Sequence, residues 1–177
     1  LGRVFSPTQV GQALKACLAA GRNTAGATAY VTLEPCSHYG RTPPCAKALL
    51  EAGIKRVVAA MVDPNPLVAG KGLAMLAEQG LETASGLMAN EARELNIGFV
   101  SRMERGRPWL RLKLASSLDG KIASRTGRSK YISGDEARRW VHRERDSHDA
   151  IMVGINTLRV DDPELTAREP EGRTPIK

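Results

Sequence analysis

The sequence predicts an α/β fold with a mostly parallel sheet, because short apolar runs alternate with helical stretches from residue 27 onward. Apolar runs with the length of buried strands lie at residues 27–31, 56–62 and 81–84. Helical stretches follow them at residues 45–53, 72–79 and 89–102. Gly53 and Gly80 suit helix C-termini, and the two prolines within residues 63–66 end the second strand. We therefore expect helices on both faces of the sheet.

A second domain is expected after the polar segment 103–108, which contains both Gly and Pro. We divide the chain into residues 1–104 and 105–177. The second part shows a strand at residues 109–115, a helix from about residue 135 to 146 capped by Ser133, and a strand at residues 150–154. These elements are too few to close a core, so we expect only the N-terminal part of that domain.

The composition favours a cytoplasmic protein with a packed core. The hydrophobic fraction is 42%, and the first residues lack the layout of a signal peptide. No apolar run is long enough to span a bilayer, so we expect no membrane association. Three cysteines are too few and odd in number for a disulfide framework. The oligomeric state is not fixed by the sequence, and a homo-oligomer is one option.

The net charge of +7 is concentrated in the second part of the chain. Residues 1–100 carry nine Lys and Arg against seven Asp and Glu, whereas residues 101–177 carry seventeen against twelve. A basic excess can serve nucleic acids or phosphorylated small molecules. Because basic and acidic residues are interleaved and aromatics are scarce, we expect no nucleic-acid partner. A basic nucleic-acid-binding module of deaminase-like fold is kept as an alternative.

Two cysteines flank the loop between the first strand and the first helix. Cys36 follows the strand, and Cys45 opens the helix, where the dipole is expected to favour the metal-binding thiolate. In zinc deaminases a His and two Cys hold the metal, while a Glu that is not a ligand transfers protons. The usual cysteine motif is P-C-x-x-C, but here eight residues separate the two cysteines. Taken alone, the spacing favours buried structural thiols over metal binding.

The residues around this pair belong to a series of short motifs along the chain. The motifs are TLEPCSH at 32–38, GRTPPC at 40–45, DPNP at 63–66, VAGKG at 68–72, LNIGF at 95–99, KLA at 113–115, SLDGK at 117–121, DDP at 161–163 and LTAR at 165–168. Together they resemble the bifunctional deaminase and reductase of riboflavin biosynthesis. The resemblance implies a three-layer cytidine-deaminase-like domain followed by the first part of a dihydrofolate-reductase-like domain. It also implies Zn²⁺, NADPH and a phosphoribosylated pyrimidine substrate.

The resemblance also assigns site residues. It implies that Cys36 and Cys45 bind zinc and that Lys113 faces the reductase site. The implied NADPH contacts are Ala115, Tyr131, Thr157 and Asp161. The implied substrate contacts are Ser129, Arg145, Leu165 and Arg168. If this carry-over is right, Lys113, Ser129, Arg145, Asp161 and Arg168 should meet at the C-terminal edge of the strands that begin at Trp109 and Ala150.

One departure concerns the deaminase half. The family carries His-Ala-Glu before the first strand, but counting back from Tyr30 places the His at Gly11 and the Glu at Ala13. The third zinc ligand and the proton carrier are therefore not identifiable, and we expect no deaminase activity. We interpret the chain as a piece of the enzyme truncated at both ends, with an aberrant first segment of about 20 residues. A reductase-only protein with a degenerate deaminase half is the alternative.

Overall fold

A three-stranded parallel sheet lies at the centre of the first of two units. In the computed structural model, which describes residues 23–40, 43–168 and 175–177, its strands are β1 (Thr28–Val31), β2 (Arg56–Ala59) and β3 (Glu82–Ser85). The strands pair in the order β1-β2-β3, with Val57 opposite both Ala29 and Thr83. The α/β class is confirmed, although β2 ends at Ala59 and not at residue 62.

Two pairs of helices pack on this sheet. They are α1 (Cys45–Glu51), α2 (Lys71–Glu78), α3 (Ala89–Leu95) and α4 (Ile97–Arg105). A first core cluster joins α1 and α2 to the sheet and includes Val31, Leu49, Val57, Ala59 and Leu76. A second cluster joins α3 and α4 to the segments that follow β1 and β2, through Leu33, Met61, Ala92 and Val100. Because side chains alternate along a strand, Val58 faces away from the first cluster and lines an apolar cavity of about 230 Å³ beside α3.

The sequence predicted one helix at residues 89–102, but the structure has two helices there, α3 and α4. The break falls at Asn96, whose backbone leaves helical geometry at φ −107° and ψ 22°. Its side-chain Nδ2 donates a hydrogen bond to the Ala92 carbonyl at 2.8 Å. Asn side chains compete with the backbone for such partners and therefore disfavour helix interiors. The break lets α3 and α4 both turn apolar residues towards the second cluster.

The second unit starts at Arg111 and contains the helices α5 (Asp135–Ser147) and α6 (Ile155–Asp161). The predicted strands at 109–115 and 150–154 are wrong for the part of the chain that the structure describes. Only a single bridge forms there, between Ala150 and Ile176. A strand is stable only when its N–H and C=O groups pair with a neighbour, and none of the described residues forms a strand alongside residues 109–115. Consequently Leu110, Leu112 and Leu114 are exposed.

The N-cap residue of α5 is Gly134, so Ser133 is not the cap that the sequence suggested. Within the described ranges, no helix has the length and apolar content needed to cross a membrane.

The start of α2 packs directly against the chain after β1, and this contact requires glycine. A Cβ atom added at Gly72 would overlap the carbonyl oxygen of Pro35. In contrast, a Cβ at Gly98, within α4, would meet no atom within 4 Å. The two glycines therefore offer a matched pair of substitutions.

We predict that Gly72→Ala lowers the free energy of unfolding by about 1–3 kcal/mol or more, because overpacking displaces the backbone. Gly98→Ala should raise it by up to about 1 kcal/mol, since alanine favours a helix. Urea unfolding followed by circular dichroism measures both. Equal effects of the two substitutions would contradict the tight contact at Gly72.

Candidate functional site

The structure brings Cys36 and Cys45 together at the start of α1. The Cys45 N–H donates a hydrogen bond to Cys36 Sγ at 3.4 Å, and the Ala46 N–H donates to the Cys36 carbonyl at 3.2 Å. Both side chains are half-buried, and neither forms a disulfide. The sequence predicted this pair from its positions after a strand and before a helix. The geometry is compatible with two sulfur ligands that approach one metal ion from the same side.

The electrostatics of Cys45 differ from the sequence-based expectation. Burial raises the pKa of the Cys45 thiol from 9.0 to about 11, and the charge and hydrogen bond of Cys36 add to the shift. The helix dipole was expected to favour the thiolate, whereas desolvation and the second sulfur act in the opposite direction and raise the pKa of Cys45.

The described residues supply only part of a zinc site. Zinc in catalytic sites takes three protein ligands and a water molecule. Among residues 23–40, 43–168 and 175–177, no group of three or more His, Cys, Asp or Glu side chains could hold a metal ion. The expected His and Glu positions, Gly11 and Ala13, lie outside these ranges. The two thiols therefore fit half of a zinc ligand set, and we assign no reaction step to it.

Sequence reasoning missed Glu34, which lies two residues before Cys36 and is only 1% exposed. Its Oε2 accepts hydrogen bonds from the N–H groups of Asp63 (3.1 Å) and Gly70 (2.8 Å). Its Oε1 accepts from those of Gly72 (2.8 Å) and Leu73 (3.2 Å). The available signal was an acidic residue within an apolar segment together with the paired glycines at 70 and 72.

Asp63 lies beside this carboxylate at the end of the segment after β2. Burial raises the pKa of Asp63, and the charge of Glu34 raises it as well. The hydrogen bond from the Asn65 N–H and the charge of His38 lower this pKa, but the net direction is upward. The Asp63 Oδ1 atom accepts a hydrogen bond from the Asn65 N–H at 2.8 Å. The DPNP segment is thus held by its own turn and by Glu34.

In the second unit, three of the predicted substrate contacts lie near one another. Arg145 Nη1 donates to the Thr166 carbonyl at 3.1 Å, and Leu165 is buried next to that residue. Burial lowers the pKa of Arg145, and the positive charge of Arg168 lowers it further. Arg145 Nε is buried without a hydrogen-bond partner among the described residues. Arg168 is more than half exposed and pairs with Glu164 at 3.1 Å.

The other predicted reductase residues lie elsewhere in this unit. Tyr131 has positive φ, and the guanidinium carbon of Arg138 lies over the Tyr131 ring, 4.9 Å from the ring centroid. Thr157 and Asp161 lie one helical turn apart on α6. Lys113 and Ser129 are exposed, and Ala115 is half-buried. Because the strands expected at 109–115 and 150–154 are absent from the described residues, the sheet edge at which these residues were to meet is absent there too.

Comparisons with known proteins match both parts of the chain. The family model described as the cytidine and deoxycytidylate deaminase zinc-binding region matches residues 11–61, and the RibD C-terminal domain matches residues 108–177. The riboflavin biosynthesis protein RibD of Haemophilus influenzae is 53% identical over 149 residues, which are 84% of this chain and 40% of that protein. The chain belongs to the RibD family.

Solved structures agree with this assignment. A diaminohydroxyphosphoribosylaminopyrimidine deaminase/5-amino-6-(5-phosphoribosylamino)uracil reductase from Thermotoga maritima matches 92% of this chain and 46% of its own, with 42% identity and a TM-score of 0.86. RibD from Acinetobacter baumannii (form 1) matches 90% of this chain and 45% of its own, with 50% identity and a TM-score of 0.81. The chain thus spans less than half the length of these relatives.

The RibD family consists of bifunctional deaminase and reductase enzymes of riboflavin biosynthesis that use Zn²⁺ and NADPH. The expected resemblance is therefore confirmed. The deaminase model begins at residue 11, so the similarity extends further towards the N-terminus than the motifs alone indicated, which began near residue 24.

The raised pKa of Cys45 predicts how this RibD-family chain reacts with alkylating agents. In metal-free protein, the Cys45 alkylation rate should keep rising with pH up to about pH 11, whereas in urea it should level off near pH 9. A raised thiol pKa stabilises the fold fully below pH 9, and this contribution is lost as pH rises through 11. Mass spectrometry of iodoacetamide labelling measures both profiles. A native profile that levels off at or below pH 9 would contradict the burial of this thiol.

Proposed function

We propose that the chain carries the deaminase domain and the opening part of the reductase domain of a cytoplasmic RibD-type enzyme. The domains correspond to residues 1–104 and 105–177. The whole protein would deaminate 2,5-diamino-6-(5-phosphoribosylamino)pyrimidin-4-one and then reduce the ribosyl group of the product with NADPH. The observation that carries the proposal is the contact between Cys36 and Cys45, in a chain whose two parts resemble the two catalytic domains. A homo-oligomer remains compatible with it.

The deaminase half of this chain would contribute zinc binding rather than turnover. Cys36 and Cys45 supply two sulfur ligands, but Gly11 and Ala13 cannot act as the imidazole ligand and the proton carrier. Without a carboxylate that moves a proton to the ring and to the departing ammonia, deamination loses its general acid and base. This reasoning also favours the second candidate, a reductase with a degenerate deaminase half.

We predict that the 177-residue chain releases no ammonia from the phosphoribosylated diaminopyrimidine, with or without added Zn²⁺. The check is an enzyme-coupled ammonia assay with an intact RibD relative as the positive control. Ammonia release by the unsubstituted chain that disappears in Cys36→Ser would contradict the prediction. The double substitution Gly11→His and Ala13→Glu tests whether these two positions alone are responsible, and we expect no rescue from it.

For the reductase half, we propose that Arg145 and Arg168 meet the phosphate and polar groups of the substrate, together with Ser129 and Leu165. Their support is the Nε of Arg145, which is buried without a hydrogen-bond partner among the described residues, and the pKa of Arg145, which burial lowers and the charge of Arg168 lowers further. A guanidinium can place two charge-assisted hydrogen bonds on one phosphate. The proposed NADPH contacts are Ala115, Tyr131, Thr157 and Asp161, with Lys113 facing the site.

We predict that Arg145→Lys weakens binding of 5-amino-6-(5-phosphoribosylamino)uracil by roughly ten- to a hundredfold, because lysine keeps the charge but loses the planar pair of donors. NADPH affinity should stay unchanged. Isothermal titration calorimetry measures both, and Arg143→Lys, at an exposed position of the same helix, is the control. Equal affinities of Arg145→Lys and Arg143→Lys for the phosphoribosylaminouracil would contradict the substrate-binding role of Arg145. So would the absence of binding by the unsubstituted chain.

A further inference from the structure

The carboxylate of Glu34 lies two residues before Cys36 in the sequence, which makes it a candidate for the role of the missing proton carrier. Its side chain is 1% exposed, and four backbone N–H groups occupy its two oxygens. A carboxylate offers about four lone-pair positions for hydrogen bonds. All of them are taken in the fold, so no position is left from which Glu34 could receive a proton from a substrate. A proton-transfer role is therefore excluded by its partners.

The same four hydrogen bonds give Glu34 a different task. The first N–H groups of any helix lack partners within the helix. The N-cap residue of α2 is Gly70, which has no side chain, and Glu34 accepts the N–H groups of Gly70, Gly72 and Leu73 from 36 to 39 residues away in sequence. A negative charge at this end of a helix is also favourable. Glu34 thus caps α2 from the segment that follows β1.

This cap acts on Cys36 through a short and stiff connection. Only Pro35 separates Glu34 from Cys36, and the Pro35 carbonyl packs against Gly72. On its other side, Cys36 accepts hydrogen bonds from the N–H groups of Cys45 and Ala46 at the start of α1. Cys36 is therefore fixed between two helices, by Glu34 towards α2 and by its own Sγ and carbonyl towards α1.

We propose that Glu34 is a positioning residue that holds Cys36 within reach of Cys45, so that the two sulfur atoms can bind one ion. The identification of this pair as a metal pair rests on the function proposed above, whereas the positioning itself does not. Glu34 acts through the backbone of Pro35 and Cys36 and touches no reacting atom.

An isosteric substitution separates positioning from simple space filling. Glutamine has nearly the shape of glutamate, but one of its oxygens is replaced by an NH₂ group, which is a donor. In Glu34→Gln, two backbone N–H groups would face a donor and lose their acceptor. If Glu34 only fills space, Glu34→Gln leaves Cys36 within reach of Cys45. If Glu34 positions Cys36, Glu34→Gln disturbs the placement of the two thiols. The conservative control is Glu78→Gln, at the exposed C-terminal end of α2, the helix whose start Glu34 caps.

The test measures the geometry of the two thiols with phenylarsine oxide, which bonds to two neighbouring sulfurs at once. The 177-residue chain carries Cys17→Ser throughout, so that Cys36 and Cys45 are the only thiols. We expect Glu34→Gln to weaken binding of the arsenical by at least about tenfold, because the effective concentration of the second thiol falls. Glu78→Gln should leave it unchanged. Val100→Ala truncates a side chain in the second core cluster, which contains neither cysteine; it should lower stability and leave arsenical binding unchanged.

The results distinguish a positioning role of Glu34 from a role in space filling or in the stability of the fold as a whole. Unchanged arsenical binding in Glu34→Gln, or equal weakening in Val100→Ala, overturns the proposal. If Glu34→Gln does not fold, Glu34→Asp is measured instead; it keeps both oxygens but is one methylene shorter, so intermediate weakening is expected. If neither variant folds, the proposal is overturned, because Glu34 is then required for the fold as a whole.

A parallel titration with Zn²⁺ tests the proposed function separately. Strong arsenical binding without Zn²⁺ binding would contradict the metal assignment and leave the positioning role intact. Zn²⁺ binding that is lost in Cys36→Ser but kept in Glu34→Gln would support the metal assignment and contradict the positioning role.

Discussion

The buried carboxylate of Glu34 is the interaction on which the placement of the cysteine loop in the first unit depends. It joins the segment after β1 to the start of α2 and to Asp63, at the end of the segment after β2. Burying a charge is costly unless hydrogen bonds compensate for it, and here four N–H groups do so. Gly72 lets the backbone of α2 come close enough for these bonds to form. The sheet, the second helix and the cysteine loop therefore share one junction, and the position of Cys36 follows from it.

The regular part of the fold could be predicted from the sequence because local signals agree with tertiary packing there. Apolar runs of strand length, prolines after β2 and glycines after α1 and α2 mark the elements within one or two residues at most ends. The prediction failed where a long-range partner decides. Residues 109–115 have a strand pattern, yet a strand exists only beside another strand. The helix predicted at 89–102 failed for a local reason: the backbone leaves helical geometry at Asn96, whose side chain also donates to the Ala92 carbonyl, and the apolar period does not reveal this.

For the site, the sequence located Cys36 and Cys45, since a strand exit and a helix start are adjacent in a βα unit. It gave the wrong sign for the pKa of Cys45, because burial depends on packing that is not local. Glu34 was missed for a similar reason, as its partners Gly70, Gly72 and Leu73 lie 36 to 39 residues away. Family resemblance named Arg145 and Arg168 separately, and only the structure shows that the charge of Arg168 acts on the pKa of Arg145, after the larger effect of burial.

Amide hydrogen exchange of the unsubstituted protein tests the central claim most directly. The claim is that Glu34 accepts the N–H groups at the start of α2, whereas α5 has no side-chain cap among the described residues. The amides of Gly72 and Leu73 should therefore exchange more slowly than those of Glu136 and Ala137, the equivalent residues of α5, by at least about a hundredfold relative to their intrinsic rates. Exchange of Gly72 and Leu73 as fast as that of Glu136 and Ala137 would contradict the account.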